Sequence, residues 1–198
     1  FKNDRKASDV QRRDRLMRCL SAMRQATMLD PTYVDPHKIL HSIYWDLAYV
    51  QMQRGQANVN WRPFIESADA LIAIDPENHR VYYRRGVAWG EIANQTANNE
   101  ASKKGLADLR KAIALDPDNV NYWGSRLTLL KLASARDATL DVDAGFAEAF
   151  KANPKSAALR IMYASHLRQT KRSDEEKKQL LAAIKCEPKN PTGQIEMA

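Results

Sequence analysis

The chain has 198 residues, of which 44% are hydrophobic and 28% charged, a balance typical of a folded protein and not of a disordered one. No apolar run approaches the roughly 18 residues that a membrane helix needs, so we expect no transmembrane segment. The net charge of +7 is uneven, with +4 in residues 1–30, −2 in residues 31–150 and +5 in residues 151–198. Basic ends can contact phosphate, but Lys and Arg on solvated helix faces are commoner, so we do not expect a nucleic-acid partner.

Five segments along the chain end in the same way, with an Asp, Asn or Glu followed by a proline. The prolines are Pro31, Pro76, Pro117, Pro154 and Pro188, at spacings of 45, 41, 37 and 34 residues. Between them, apolar residues recur at intervals of three and four, as at Leu106, Leu109 and Ile113, whereas the strict alternation of strands is absent. A repeat of this length made of helices predicts an all-α solenoid.

The segments before the prolines resemble the tetratricopeptide repeat (TPR), a 34-residue helix–turn–helix with a large and a small residue at fixed distances before its proline. Phe146, Ala149 and Pro154 match this pattern, which belongs to the second half of the repeat, at all three positions. The segments that end at Pro31, Pro117 and Pro188 match with Met or Leu for Phe, and the segment at Pro76 matches poorly. The first half recurs as well, most clearly at Tyr82, Gly86 and Trp89.

The resemblance implies one domain over residues 1–198, a right-handed α-solenoid of antiparallel TPR units. The predicted units are a second helix alone at 8–31, full units at 37–76, 79–117, 120–154 and 157–188, and the start of a further helix at 191–198. The longer spacings predict polar insertions between the two helices of a unit, at 53–60, 94–102 and 136–141. Since 191–198 would begin another unit, we expect the array to continue past Ala198, as in a segment of a longer protein.

In the TPR family the first helices of successive units line a concave groove that takes a peptide, which implies binding positions here. Those positions are Trp45, Tyr49, Met52, Tyr83, Val87, Glu91, Asn121, Thr128, Lys131, Ile161, Ser165 and Arg168. An aromatic end that grades into a basic end would suit a peptide with apolar anchors and an acidic portion. For Trp45 and Tyr49 a place in the core is the alternative.

One branch of the family clamps the C-terminal carboxylate of heat-shock chaperones with Lys, Asn and Arg. The corresponding positions hold Tyr83, Val87, Ser125, Ala158 and Met162. This clamp is therefore absent, and we do not expect binding of chaperone tails by that mechanism.

Two other patterns could bind metal, and both are incomplete. His37 and His41 lie four residues apart, but no third ligand completes a zinc site. Asp137, Asp141 and Asp143 lack the spacing of a calcium loop, so we interpret them as loop and helix-cap carboxylates. The two cysteines, Cys19 and Cys186, are interpreted as ordinary thiols because their number and spacing suit neither a disulfide framework nor a metal site.

The sequence contains no phosphate-binding Gly-rich loop and no catalytic triad pattern, so it predicts neither an enzyme nor a cofactor. The leading hypothesis is a scaffold that binds a peptide or partner protein in the groove. The alternatives are a regulatory or targeting segment of a longer enzyme-containing chain, and a basic RNA- or ribosome-associated repeat protein. The few cysteines slightly favour the cytoplasm, an exported location after loss of a signal stays an alternative, and the oligomeric state is open.

Overall fold

The computed structural model describes residues 9–56 and 58–188, and over these ranges the chain consists of helices and short connections, without strands. The helices are α1 (Asp9–Leu29), α2 (Val34–Gln53), α3 (Arg62–Ile74), α4 (His79–Thr96), α5 (Asn99–Leu115), α6 (Val120–Ser134), α7 (Val142–Ala152), α8 (Ala157–Gln169) and α9 (Ser173–Cys186). The predicted all-α class is confirmed. Within the described residues no helix combines the length and the apolar character needed to cross a membrane.

The chain divides into two compact units, Phe1–Val81 and Tyr82–Ala198, and the boundary falls within α4. The core of the first unit is aromatic, because Trp61 and Phe64 are almost completely buried and Trp45 packs against both rings. The core of the second unit is mainly aliphatic. It is centred on the fully buried side chains of Leu109, Leu127, Phe146 and Leu159.

Three of the prolines that separate the helices accept a hydrogen bond on their carbonyl oxygen from a side chain six residues further along. The bonds run from His37 Nε2 to Pro31 (2.9 Å), from Trp123 Nε1 to Pro117 (2.8 Å) and from Arg160 Nη2 to Pro154 (3.0 Å). Each of these prolines lies two residues beyond the end of a helix, and a side chain of the next helix satisfies the carbonyl of the turn. The same contact thus links each of these turns to the helix that follows it.

The α4 and α5 helices approach each other at a pair of glycines. A Cβ atom added to Gly105 would lie 2.9 Å from the carbonyl oxygen of Gly86, and one added to Gly86 would lie 3.1 Å from the carbonyl oxygen of Gly105. Next to this contact, the Arg85 guanidinium donates to both carboxylate oxygens of Asp108, at 2.7 and 2.6 Å. The glycines set the distance between the helices, and the ion pair joins them.

The interpretation of residues 94–102 as an inserted polar loop is wrong. The α4 helix continues to Thr96 and α5 begins at Asn99, so only two residues connect them. Asn98 caps α5 by accepting hydrogen bonds from the backbone N–H groups of Glu100 and Ala101, at 2.9 and 3.1 Å. The extra residues therefore lengthen the two helices instead of the loop.

The other predicted insertions, at 53–60 and 136–141, do overlap the connections from α2 to α3 and from α6 to α7. The predicted start of a further helix at 191–198 lies outside the described residues. The division of the helices into TPR units stays a prediction.

Candidate functional site

The second unit carries two adjoining cavities on a surface formed by α4, α6 and α8. The first cavity has a volume of about 310 Å³ and lies between α4 and α6. Val87, Gly90 and Glu91 line it from α4, and Leu129 and Leu132 line it from α6. Apart from Glu91, its described walls are uncharged and largely apolar.

The second cavity has a volume of about 330 Å³ and lies next to the first. Tyr83 of α4, Gly124 of α6 and Met162 of α8 contribute to its lining. Ser125 and Thr128 line both cavities, so the two depressions adjoin each other. We call the surface that holds both of them the cavity face, defined by Tyr83, Val87, Glu91, Gly124, Thr128 and Met162.

Two polar side chains of the cavity face differ in how they are held. The ring of Tyr83 stacks on Tyr122 with a centroid distance of 4.6 Å, and its hydroxyl accepts a hydrogen bond from Ser125 Oγ at 3.5 Å. Glu91 makes no hydrogen bond or ion pair with any described residue, and its partial burial raises the pKa of its carboxyl above the usual value of 4.5. Tyr83 is therefore fixed in place, whereas no described residue occupies the carboxylate oxygens of Glu91, which can accept hydrogen bonds from a ligand.

Five of the twelve predicted groove positions line these cavities, namely Tyr83, Val87, Glu91, Asn121 and Thr128. The remaining positions of the second unit line neither of them. Ile161 and Lys131 are half-buried, Ser165 is exposed, and Arg168 donates to Glu176 of α9 at 2.6 Å. The basic end of the predicted groove consists of Lys131 and Arg168. Because Arg168 already pairs with Glu176, its charge is less available to a peptide.

Trp45, Tyr49 and Met52 lie in the first unit. Trp45 is half-buried, and its ring lies 5.9 Å from that of Trp61 and 5.2 Å from that of Phe64, which favours the core alternative for this residue. Tyr49 stacks on Trp45 at 6.2 Å and is 43% exposed, and Met52 is half-buried.

Gly124 is not among the predicted groove residues, although the repeat spacing contains the signal for it. Gly124 follows Pro117 by seven residues, as Tyr83 follows Pro76. The two residues thus occupy the same position in successive segments, and both line the second cavity. A glycine is easily passed over because it offers no side chain, yet here that lack of a side chain creates part of the space.

The aspartates before and within α7 have local structural roles, as predicted for loop and cap carboxylates. Asp137 accepts hydrogen bonds from Thr139, and Asp141 caps α7 through the backbone N–H of Ala144 at 2.9 Å. Asp143 instead forms an ion pair with Arg172, at 2.5 Å. In the described part of the chain no three His, Cys, Asp or Glu side chains are grouped so that they could hold a metal ion.

His166 lies beside this ion pair, with Nε2 3.7 Å from an oxygen of Asp143. Burial, followed by the positive charge of Lys131, lowers the pKa of His166 below its ordinary value of 6.5. The Asp143 carboxylate acts in the opposite direction, but Arg172 already shares its charge. The net effect of these surroundings favours the neutral form of His166.

Comparison with solved structures identifies the architecture. The chain is similar to TTC0263, a TPR protein of Thermus thermophilus, at 20% identity, with 92% of this chain and 89% of that chain covered and a TM-score of 0.57. It is similar to MamA at 17% identity, with coverages of 86% and 87% and a TM-score of 0.58. The chain has the TPR fold.

A third TPR structure, that of YrrB, shares 15% identity, with coverages of 93% and 84% and a TM-score of 0.56, and is a TPR protein with an unusual peptide-binding site. At such identities the likeness concerns the fold alone. The expectation of a helical-repeat solenoid with TPR architecture is confirmed. A scan against protein-family models and a search of curated proteins find no match for this sequence.

Proposed function

We propose that this chain is a protein-interaction scaffold whose cavity face binds a peptide segment of a partner protein. The observation that carries the proposal is the pair of adjoining cavities along α4, α6 and α8, which together could hold two neighbouring side chains of one segment. The peptide-binding site of YrrB, a protein with the same fold, supports this choice. The fold alone would not, because one fold hosts many functions.

The size of the cavities sets the expected affinity. Burial of one Leu, Met or Phe side chain contributes about 1.5–3 kcal/mol. Two such anchors, reduced by the cost of ordering the peptide, correspond to dissociation constants that are micromolar or weaker. We therefore expect a reversible contact with a short segment.

Several arginines of the second unit are already neutralised within the chain, which supports a protein partner over a nucleic acid. Ion pairs join Arg85 to Asp108, Arg126 to Glu148, Arg168 to Glu176 and Arg172 to Asp143. Nucleic-acid binding relies on Lys and Arg side chains that are free to neutralise phosphates. The proposal includes no catalytic activity and no cofactor.

Gly124 offers a direct test, because a Cβ atom at this position would meet no heavy atom within 4 Å. Gly124→Trp should fill the second cavity without disturbing the core. The full-length protein would be used to select from a displayed library of random 12-residue peptides, and the best peptide would be synthesised for titration. We expect Gly124→Trp to weaken its binding by about 10- to 100-fold, the equivalent of one lost apolar anchor.

The matched control is Ala114→Trp, which adds the same side chain at an exposed position of α5 outside both cavities. This variant should bind the selected peptide as the unmodified protein does. Failure to enrich any peptide, or equal binding by Gly124→Trp and Ala114→Trp, would contradict the proposed function.

A further inference from the structure

Glu91 differs from the other shielded acidic side chains between residues 82 and 188, because it alone has no partner among the described residues. The fully or partly buried carboxylates of Asp108, Asp143 and Glu176 are paired with Arg85, Arg172 and Arg168, respectively. Glu91 is half-buried and has neither an ion pair nor a hydrogen bond within the described chain. A carboxylate taken partly out of water without compensation costs free energy in the unbound protein.

The position of Glu91 makes this unpaired charge available to a ligand. Glu91 lines the first cavity together with Val87, Leu129 and Leu132. It is also the only charged residue among the described residues that line either cavity. A cation bound here would form a charge-assisted hydrogen bond in a site that is partly shielded from water, where such bonds are stronger than on an open surface.

The apolar walls require a second feature of the ligand. A small hydrated cation would leave Val87, Leu129 and Leu132 in contact with water, whereas a peptide can place an apolar side chain against them and a Lys or Arg beside it. The methylene stem of Lys or Arg can itself cover apolar surface while its charged end reaches a carboxylate. The chemistry of the cavity therefore matches an apolar residue next to a basic one.

On the basis of the proposed peptide-binding function, we propose that the first cavity selects partner segments in which a Lys or Arg flanks an apolar side chain, with Glu91 as the acceptor of the positive charge. This replaces the acidic portion that the sequence suggested for the peptide. That expectation relies on Lys131 and Arg168, but neither residue lines either cavity of the cavity face, and Arg168 is paired with Glu176.

The test compares the peptides selected by the full-length protein and by Glu91→Gln and Glu91→Lys from the same random 12-residue library. The unmodified protein should enrich Lys or Arg next to aliphatic or aromatic residues. Glu91→Gln should lose the basic preference, and Glu91→Lys should replace it with Asp or Glu. For the best peptide, a double-mutant cycle would pair Glu91→Gln with a Lys→Gln change in the peptide. We expect each single change to weaken binding about fivefold or more, and the second change to add little to the first.

The outcomes separate this inference from the proposed function. Suppose that Gly124→Trp weakens binding of the selected peptides, but that these peptides are not enriched in Lys or Arg or that the double-mutant cycle is additive. The inference about Glu91 is then wrong, and the proposed function stands. If no peptide binds, or if binding is the same in Gly124→Trp, both are wrong. Loss of binding through unfolding would be recognised by circular dichroism, and Glu91→Gln should be as helical as the unmodified protein because Gln is a good helix former.

Discussion

Individual glycines of the second unit have opposite roles that depend on what surrounds them. Gly105 lies where a Cβ atom would be 2.9 Å from a backbone oxygen of α4 and 2.6 Å from Cδ2 of Leu129. Gly124 lies in the same unit, but a Cβ atom there would meet only open space. The first glycine permits a close helix contact, and the second keeps a cavity open. The same residue type therefore serves stability at one site and binding at the other.

This difference predicts opposite effects of the same substitution. Gly124→Ala should raise the free energy of unfolding by about 0.5–1 kcal/mol, because Ala is the better helix former and nothing opposes its methyl group. Gly105→Ala should lower it by about 1–3 kcal/mol, because a rigid backbone atom blocks the added methyl group. Urea denaturation of both variants checks this, and a loss of stability in Gly124→Ala would be incompatible with the described geometry.

Glu91 should also affect stability, with a dependence on pH that follows from its raised pKa. The folded state prefers the protonated carboxyl, so the ionised form is destabilising at pH 7. Glu91→Gln should therefore be more stable than the unmodified protein at pH 7. The difference should shrink as the pH falls through the raised pKa towards 4.5, since the unmodified protein then becomes neutral at this position.

Thermal unfolding of both proteins between pH 7 and pH 4.5 measures this difference directly. A difference that grew on acidification would contradict the assigned burial of Glu91. Comparison of Glu91→Gln with the unmodified protein at each pH removes the contribution of other titrating groups. One of these is His166, whose pKa is lowered by burial, so that acidification lowers the stability through His166 but raises it through Glu91.

At the scale of helices, α4 and α5 form a pair that is held by the glycine contact and by a shielded ion pair. The side chains of Arg85 and Asp108 are 18% and 9% exposed, so water does little to weaken their bidentate contact. Removal of one member of such a pair leaves the other charge buried and uncompensated. The contact matters for function as well, because α4 carries Tyr83, Val87 and Glu91.

Asp108→Ala should accordingly lower the free energy of unfolding by about 3 kcal/mol. The control is Glu100→Ala, also on α5, which removes a solvent-exposed pair with Lys103 and should change the free energy of unfolding much less. Chemical denaturation of both variants provides the measurement. Similar losses in the two variants would show that the Arg85–Asp108 pair is not shielded as described.

The sequence predicted the helices better than their connections. The prolines and the spacing of apolar residues locate the helix ends, because proline cannot continue a helix. The polar composition of residues 94–102 predicts a loop, but polar residues are equally common on the exposed side of a helix. The signal that separates the two cases is Asn98, whose side chain caps α5 and so places the turn within two residues.

At the scale of the whole chain, the TPR fold supplies a surface, and the side chains on α4, α6 and α8 determine what that surface can bind. The repeat pattern predicted Tyr83, Val87, Glu91, Asn121 and Thr128 as groove residues, and all five line the cavities. It could not predict that Arg168 pairs with Glu176 or that Glu91 has no partner among the described residues. Both facts depend on residues of other helices, and no repeat pattern specifies those contacts.

The central claim, that a peptide binds to the cavity face, is tested most directly by methyl NMR of the full-length protein with the selected peptide. We predict that the methyl signals of Val87, Leu129 and Met162 shift on titration, whereas those of Leu71 in the first unit and Leu180 in α9 do not. Shifts confined to Leu71 or Leu180, or the absence of shifts at a saturating peptide concentration, would contradict the claim.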